Sequence, residues 1–481
     1  MFKKLIYKGL GRVGVPIACM MLALTSCKTP ALITRIENRN VPARYNTVQD
    51  TLNTGKAAWR EFFGDPHLMA LIDTALGNNQ ELNISLQEIQ IAQNEIRART
   101  GEYLPFVGLQ AGAGVDKVGR YTRPGAIEES TEIRPGHNFP NPLPDFLLSA
   151  NVTWQVDIWN KLHNAKRAAA LRYLSSIEGR NFTVTNLVAE IANSYYELLG
   201  LDTQLDIVKR NIDIQTNALS IVRLEKESAK VTELAVRRFE AQVLRTQSLQ
   251  FDIQQRITET ENHINFLVGR FPQPVLRTAQ DVNTIVPEAM HAGIPSQLLQ
   301  NRPDIRRAER ELEAAKLDVQ VARANFLPSL DLSAAIGFNS YNPTLLLTPE
   351  SLLYSLIGGF TRPLINRNAI KSMYYSANAR QIQAVYNYER TILNAYVEVA
   401  NQVSSINNLQ KSYDLKARQV EALIQSTNIS NTLFKSARAD YMEVLLTQRD
   451  ALESRFDLVE TKVQQLNAMV NTYRALGGGW K

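Results

Sequence analysis

The residues able to do covalent or metal chemistry are few and scattered. Five histidines, His67, His137, His163, His263 and His291, are spread along the chain, none in an HExxH pair and none beside a pair of cysteines. No glycine-rich phosphate loop is present. Arg302, Asp304 and Glu309 could be mistaken for a catalytic cluster, in the stretch Leu298-Leu299-Gln300-Asn301-Arg302-Pro303-Asp304-Ile305-Arg306-Arg307-Ala308-Glu309. Pro303 suits the first turn of a helix, and Asp304 and Glu309 lie toward its positive end. At those spacings the three charges suit capping and salt bridges between helices, not catalysis. The chain is therefore read as a non-enzyme with no cofactor. One residue remains with covalent chemistry to expect, Cys27.

Cys27 closes a leader-like segment. Lys3, Lys4, Lys8 and Arg12 stand in the first 26 residues, which contain no acid, and an apolar run fills 13–24. The junction Leu24-Thr25-Ser26-Cys27 resembles the lipobox of bacterial lipoproteins, which implies removal of residues 1–26 and a covalent lipid on Cys27. Cys19 would leave with the leader, so no disulfide and no thiolate metal site is expected in the mature chain. Lys28 follows the cysteine where an aspartate favours inner-membrane retention, so the resemblance points to an outer-membrane anchor. Without the four basic residues of the leader the formal charge falls from +6 to +2, and a nucleic-acid partner has little support.

The rest of the chain must position something other than an active site. No later segment has the run of about 18 apolar residues that a membrane helix needs, so a membrane crossing would have to be a β-barrel. Period-2 alternation predicts strands near residues 106–117, 146–158, 330–339 and 353–365. In the second, Leu148, Ala150, Val152, Trp154, Val156 and Ile158 share one face, and Ser149, Asn151, Thr153, Gln155 and Asp157 the other. One greasy and one polar face over about ten residues is the pattern of a barrel strand with a wet interior. A Gly- and Pro-rich loop separates the first two strands. Long helical seams follow. From Val184 to Val222 the seam alternates steps of three and four, which predicts left-handed supercoiling. A shorter helix ends at Gly269, and the pattern recurs with a long helix over about 368–435 and a last one over about 440–476.

Two joins of helix, Leu-Pro and strand, IRARTGEYLPFVGLQAGAG from Ile96 and VQVARANFLPSLDLSAAIG from Val319, lie about half the chain apart and signal an internal duplication. The organisation expected is a leader (1–26), an acylated arm (27–65), a first repeat (66–269), a linker (270–297), a second repeat (298–476) and a short tail (477–481). Each repeat supplies two strands and two helical columns. Four strands cannot close a barrel, because bacterial outer-membrane barrels begin at eight, so the chain must oligomerise. A dimer would give eight strands and a trimer twelve.

With these motifs in place, the sequence resembles the TolC-like outer-membrane efflux proteins, in the lipoprotein branch called NodT/OprM. The resemblance rests on WxxFFxDPxLxxLIxxAL from Trp59, LLxxRPDIxxAExxL from Leu298, the two Leu-Pro joins, and Gly477-Gly478-Gly479-Trp480 at the end. It implies a mainly α fold with a transmembrane β-barrel: a homotrimer with a twelve-stranded barrel and a twelve-helix periplasmic tunnel. It implies a passive exit duct in outer-membrane lipid, coupled by a periplasmic adaptor to an inner-membrane pump of the resistance–nodulation–division type. A type I secretion duct is the alternative, followed by a structural coiled-coil lipoprotein.

The periplasmic tips, where the resemblance implies adaptor docking, match Ser228-Ala229-Lys230 and Ser436-Ala437-Arg438. The family has glycine where each alanine stands, and alanine at positive φ carries strain that glycine avoids. Just beyond the second tip, Asp440, Met442 and Glu443 match a constriction of apolar and acidic residues. Repeated three times, they are expected to narrow the pore and favour cations. Leu446 stands where the family often has an aspartate, so only part of that gate carries over. No methionine or histidine cluster marks a metal-handling lumen, so drug or amphiphile efflux is the default expectation.

Overall fold

The computed structural model describes residues 29–45, 52–287, 289–363, 365–436 and 438–481. Its principal helices are α1 (Pro66–Asn78), α2 (Gln80–Tyr103), α3 (Lys161–Glu227), α4 (Glu233–Val268), α5 (Pro303–Ala324), α6 (Asn368–Lys435) and α7 (Tyr441–Ala475). Its principal strands are β1 (Phe106–Asp116), β2 (Leu143–Val156), β3 (Ser329–Ser340) and β4 (Leu352–Thr361). The fold is mainly helical, and each half runs helix, two strands, long helix, shorter helix. With 67 and 68 residues, α3 and α6 are each ~100 Å long at the usual rise. With 36 and 35 residues, α4 and α7 are about half that. No helix among the described residues is long and apolar enough to cross a membrane.

The chain forms two compact units, and each draws on both halves. One holds residues up to Ile36 with Gln90–Tyr173 and Arg310–Val385. Its four strands form one antiparallel sheet in the order β1-β2-β3-β4. In register, Leu109 faces Ala150, Ala150 faces Ile336, and Ala334 faces Leu356. Among the described residues, neither β1 nor β4 has a strand on its outer side. Pro105 and Pro328 mark the helix–strand joins, because proline cannot continue a helix interior. Two tryptophans satisfy backbone carbonyls there: Trp154 Nε1 donates to Tyr103 O at 2.9 Å, and Trp159 Nε1 to Pro328 O at 2.7 Å. The connection from β1 to β2 is not the plain loop its composition suggests. It holds a helical turn, Arg123–Ser130, and a small hairpin, Glu132–Arg134 with His137–Asn138. Thr122 caps that turn, its hydroxyl accepting from Gly125 N, and Pro124 fits the first helical residues.

The other unit holds Glu37–Ile89, Leu174–Glu309 and Tyr386–Lys481. Its core joins α1, the middle of α3, the end of α4 and the end of α7. The motifs singled out in the sequence have physical reasons there. One oxygen of Asp65 accepts from His67 N and Leu68 N to cap α1, and the other accepts from the Tyr195 hydroxyl at 2.8 Å. Phe62 stacks on Tyr473 with ring centroids 4.0 Å apart, and Phe63 meets the same ring edge-on. The terminal glycines are required by geometry. Gly477 (φ +87°) and Gly479 (φ +98°) are left-handed, and a Cβ on Gly478 would lie 2.3 Å from the Tyr473 ring. Residues 270–297 contain no long element, yet Val275 and Val282 are buried in the core. Arg277 ties the same segment to Asp202 of α3 and Glu261 of α4.

Candidate functional site

The sheet has two unlike faces. Val107, Leu109 and Val115 of β1 share one face with Leu148, Val152 and Trp154 of β2. The same face carries Leu332, Ile336 and Phe338 of β3 and Tyr354, Leu356 and Phe360 of β4. Leu109, Tyr354 and Leu356 are 85%, 82% and 80% exposed, so this apolar band is bare in a single chain. Trp154 and Phe360 stand at the end of the band nearest the helices, Phe338 and Tyr354 toward the other, which is the girdle arrangement of a lipid-facing surface. The opposite face is richer in polar and small residues, with Gln110, Ser149, Asn151, Asp331, Ser333 and Ser355, though Phe106 and Ile357 also lie on it. Its side chains bond one another: Asn151 Nδ2 donates to Gln110 Oε1 at 3.2 Å, and Asn339 Nδ2 to Asp145 Oδ1 at 2.6 Å.

The charge cluster at the start of α5 is a latch. Arg302 is buried. Its Nη1 donates to Glu398 Oε2 and to Ala475 O, each at 2.8 Å, and its Nη2 to Asp304 Oδ2 at 2.8 Å. Arg474 holds the other Glu398 oxygen at 3.0 Å. Burial alone would lower the Arg302 pKa, but the hydrogen bonds and charges of Asp304 and Glu398 outweigh it, and the guanidinium stays charged. Glu309 pairs with Arg39 of the arm at 3.0 Å. These charges join α5, α6, α7 and the arm.

The described residues of the arm are seated at several points. Leu32 packs with Phe326 and Tyr374, just before β3 begins, and Asn378 Nδ2 donates to Ile33 O at 3.1 Å. Farther on, Tyr45 stacks on Tyr396 at 5.3 Å. Cys27 lies outside the described residues.

At the first tip, Ala229 N donates to Lys226 O and Lys230 N to Glu225 O, both at 2.9 Å. Those paired bonds are a Schellman cap, and Ala229, at φ +54°, holds its left-handed position. Alanine has therefore kept the turn that glycine favours, at the cost of strain. Ala229→Gly is expected to stabilise the tip by about 0.5–1 kcal/mol, read as slower hydrogen exchange around residues 224–232. At the second tip Arg438 N closes the same span onto Leu433 O at 2.9 Å, while Ala437 lies outside the described residues. Ser228, Lys230, Ser436 and Arg438 are all exposed. Lys226 pairs with Glu233 across the first tip at 2.5 Å, Arg237 pairs with it one turn along α4 at 2.8 Å, and the Lys226 hydrogen bond pulls the Glu233 carboxyl below its usual range. Behind the tips the two hairpins share one apolar cluster, with Val222, Phe239 and Val444 buried and Phe434, Tyr441 and Leu445 packed against them.

The gate candidates are close in sequence but do not share a face. Asp440 is exposed at the N-cap position of α7. Glu443 is exposed in the first turn, and Leu446 is exposed one turn later on the same side. Met442 turns toward α4, where the Arg238 guanidinium meets its sulfur. Arg238 was not evident in the sequence, because nothing in the Arg237-Arg238 pair indicates which of the two crosses to the other hairpin.

The family model described as outer membrane efflux protein matches residues 71–270 and 294–478. The cation efflux system protein CusC of Escherichia coli O6:H1 (strain CFT073) is 27% identical over 471 residues, covering 96% of this chain and 98% of that protein. The pyoverdine export outer membrane protein OpmQ of Pseudomonas aeruginosa is 26% identical over 426 residues, covering 88% of this chain and 87% of that protein. A crystal structure of CusC matches with a TM-score of 0.82 at 24% identity, covering 93% of this chain and 99% of that one.

Proposed function

The chain belongs to the outer membrane efflux protein family, and on that premise we propose that it is the outer-membrane exit duct of a tripartite efflux system. The observation that carries this reading is the open sheet: one exposed apolar face and, among the described residues, two unpaired edges. Lipid tolerates the face but not the edges. Three copies remove the edges, with each β4 pairing against the next copy's β1 to close twelve strands. The apolar face then meets lipid and the polar face lines water. The long helices of the three copies form the periplasmic tunnel. Its tips, at Ser228-Ala229-Lys230 and Ser436-Ala437-Arg438, dock a periplasmic adaptor that couples to an inner-membrane pump of the resistance–nodulation–division type. The duct conducts what the pump delivers and performs no reaction on it.

Cys27 carries the lipid anchor in this reading. Leu32 is seated at the foot of β3, so a cysteine five residues upstream reaches the membrane surface within ~17 Å of extended chain. Small-molecule cargo, drugs or amphiphiles, is the reading for this chain. Similar relatives are named for cation efflux and for pyoverdine export, which supports a duct that does not itself select cargo.

Asp440 and Glu443, repeated by the threefold axis, narrow the tunnel and favour cations, with Met442 held against Arg238 beside them. The reconstituted protein is expected to be a trimer with a small, cation-preferring conductance in planar bilayers. Glu443→Ala is expected to raise that conductance about twofold or more and to weaken the cation preference. A monomer, or a trimer with no conductance in either form, would overturn the duct. Unchanged conductance and selectivity in the variant would remove Glu443 from the gate.

A further inference from the structure

The seam that joins the two hairpins is interrupted by a buried polar interval. Toward the tips, Leu219, Val222, Val236, Phe239, Val243 and Val444 form one apolar cluster. Farther along the same helices, Leu201, Val208 and Ile253 form another, with Ile212, Leu249 and Phe456 against it. Between the two clusters stand Gln215 on α3, Thr246 on α4 and Gln448 on α7, only 1%, 1% and 4% exposed. Thr246 donates its hydroxyl to Gln242 O in its own helix, at 3.0 Å, and so bonds no neighbour. Gln215 has no hydrogen-bond partner for either its Oε1 or its Nε2, and Gln448 has none for its Oε1. Ser454, a turn and a half farther along α7, is buried with its Oγ equally unpartnered.

Beside Gln448, Thr447 bonds Ser430 of its own hairpin at 2.9 Å, but Gln215 and the Gln448 Oε1 gain no hydrogen bond across the seam. A polar residue in a helical seam can fix register, but it does so by finding a partner across the seam, and Gln215 has none. A buried amide left unpaired favours any rearrangement that hydrates it or gives it a partner. The apolar clusters on either side favour staying as they are. The helices are therefore least committed to one arrangement at this level, about four turns behind the first tip.

We propose that the interval of Gln215, Thr246 and Gln448 is the plane at which the tip cluster parts from the shaft when the duct opens. In the arrangement of this chain, the closed one under this proposal, the Gln215 amide and the Gln448 Oε1 are buried and unpaired. In the open one they are hydrated or bonded, which offsets part of the cost of exposing apolar side chains at the tips. The inference rests on the chain being an exit duct.

The test is the double variant Gln215→Leu/Gln448→Leu, of similar side-chain size, in the full-length trimer. Two measurements are made: hydrogen exchange of the tip segments 216–243 and 441–447, and export of a fluorescent amphiphile from cells carrying the cognate pump. Exchange at the tips is expected to slow about tenfold and export to fall, with trimer yield unchanged. Gln215→Glu, which places a charge in the same interval, is expected to speed tip exchange and serves if the double variant fails to assemble. Unchanged or faster exchange in the double variant overturns the proposal. So does slower exchange with unchanged export, or Gln215→Glu leaving tip exchange unchanged. Wild-type cells that show no export would count against the exit-duct reading itself.

Discussion

Arg302→Ala is expected to cost about 3–5 kcal/mol per chain, the penalty for removing one partner of a buried ion pair. Asp304 and Glu398 would keep their negative charges without the guanidinium between them, and Ala475 O would lose a donor. Arg474 bonds only one oxygen of Glu398 and leaves the other bare. Arg302→Lys restores the charge but not the fork, so it serves one partner and not three, and it is expected to recover less than half of the loss. Arg60→Ala is the control. Its pair with Asp73 lies in solvent, and its loss is expected to cost under about 1 kcal/mol. Denaturant unfolding of the purified trimer reads all three. Equal costs for Arg302→Ala and Arg60→Ala would mean that the latch contributes nothing.

Leu356→Arg and Ser355→Arg are neighbours with opposite expected outcomes. Leu356 lies at the middle of β4 on the apolar face, opposite Ala334, and Ser355 points to the polar face, opposite Ala335. Arginine at the lipid-facing position costs ~2–4 kcal/mol per chain at the bilayer midplane. Three copies multiply that cost, and the variant is expected to vanish from the outer-membrane fraction. Arginine at Ser355 faces water, so the protein is expected to insert normally and to conduct differently, with cation preference reduced. Equal recovery of both variants from the outer membrane would mean that the two faces have been assigned wrongly.

Much of this arrangement was legible in the sequence, because the strands and helices keep strict periods. Leu148 to Val156 alternates without a slip, and the Val184 to Val222 seam holds steps of three and four throughout. The capping motif at Asp65-Pro66 and the terminal glycines were legible as patterns, but their reasons needed the partners. Tyr195 is 130 residues from Asp65, and Tyr473, although near Gly478 in the chain, crowds it only through the fold of the terminal turn. Pro144 hid the true start of β2. It reads as a strand breaker, yet it sits where β2 pairs with β1 alone, since pairing with β3 begins only at Phe146. A residue with one open side tolerates a missing N–H. At the other end β4 stops at Thr361 rather than near 365, two residues before Pro363.

The turn Arg123–Ser130 has no period long enough to stand out from the Gly and Pro residues around it. The exposed side chains at the tips were found by resemblance alone. Solvent-facing charges such as Glu443 carry no periodic signature of their role. The contact of Arg238 with Met442 joins residues from different hairpins and had no local signal at all.

A cross-link from the tips asks whether this chain is a docked exit duct. A photoreactive residue replaces Ala437, or separately Ala229, in cells expressing the protein at its natural level, and the attached proteins are identified after irradiation. A periplasmic adaptor attached at both positions, co-purifying with a resistance–nodulation–division pump, is the result expected. An inserted, trimeric protein that captures no adaptor from either tip would contradict the exit-duct reading.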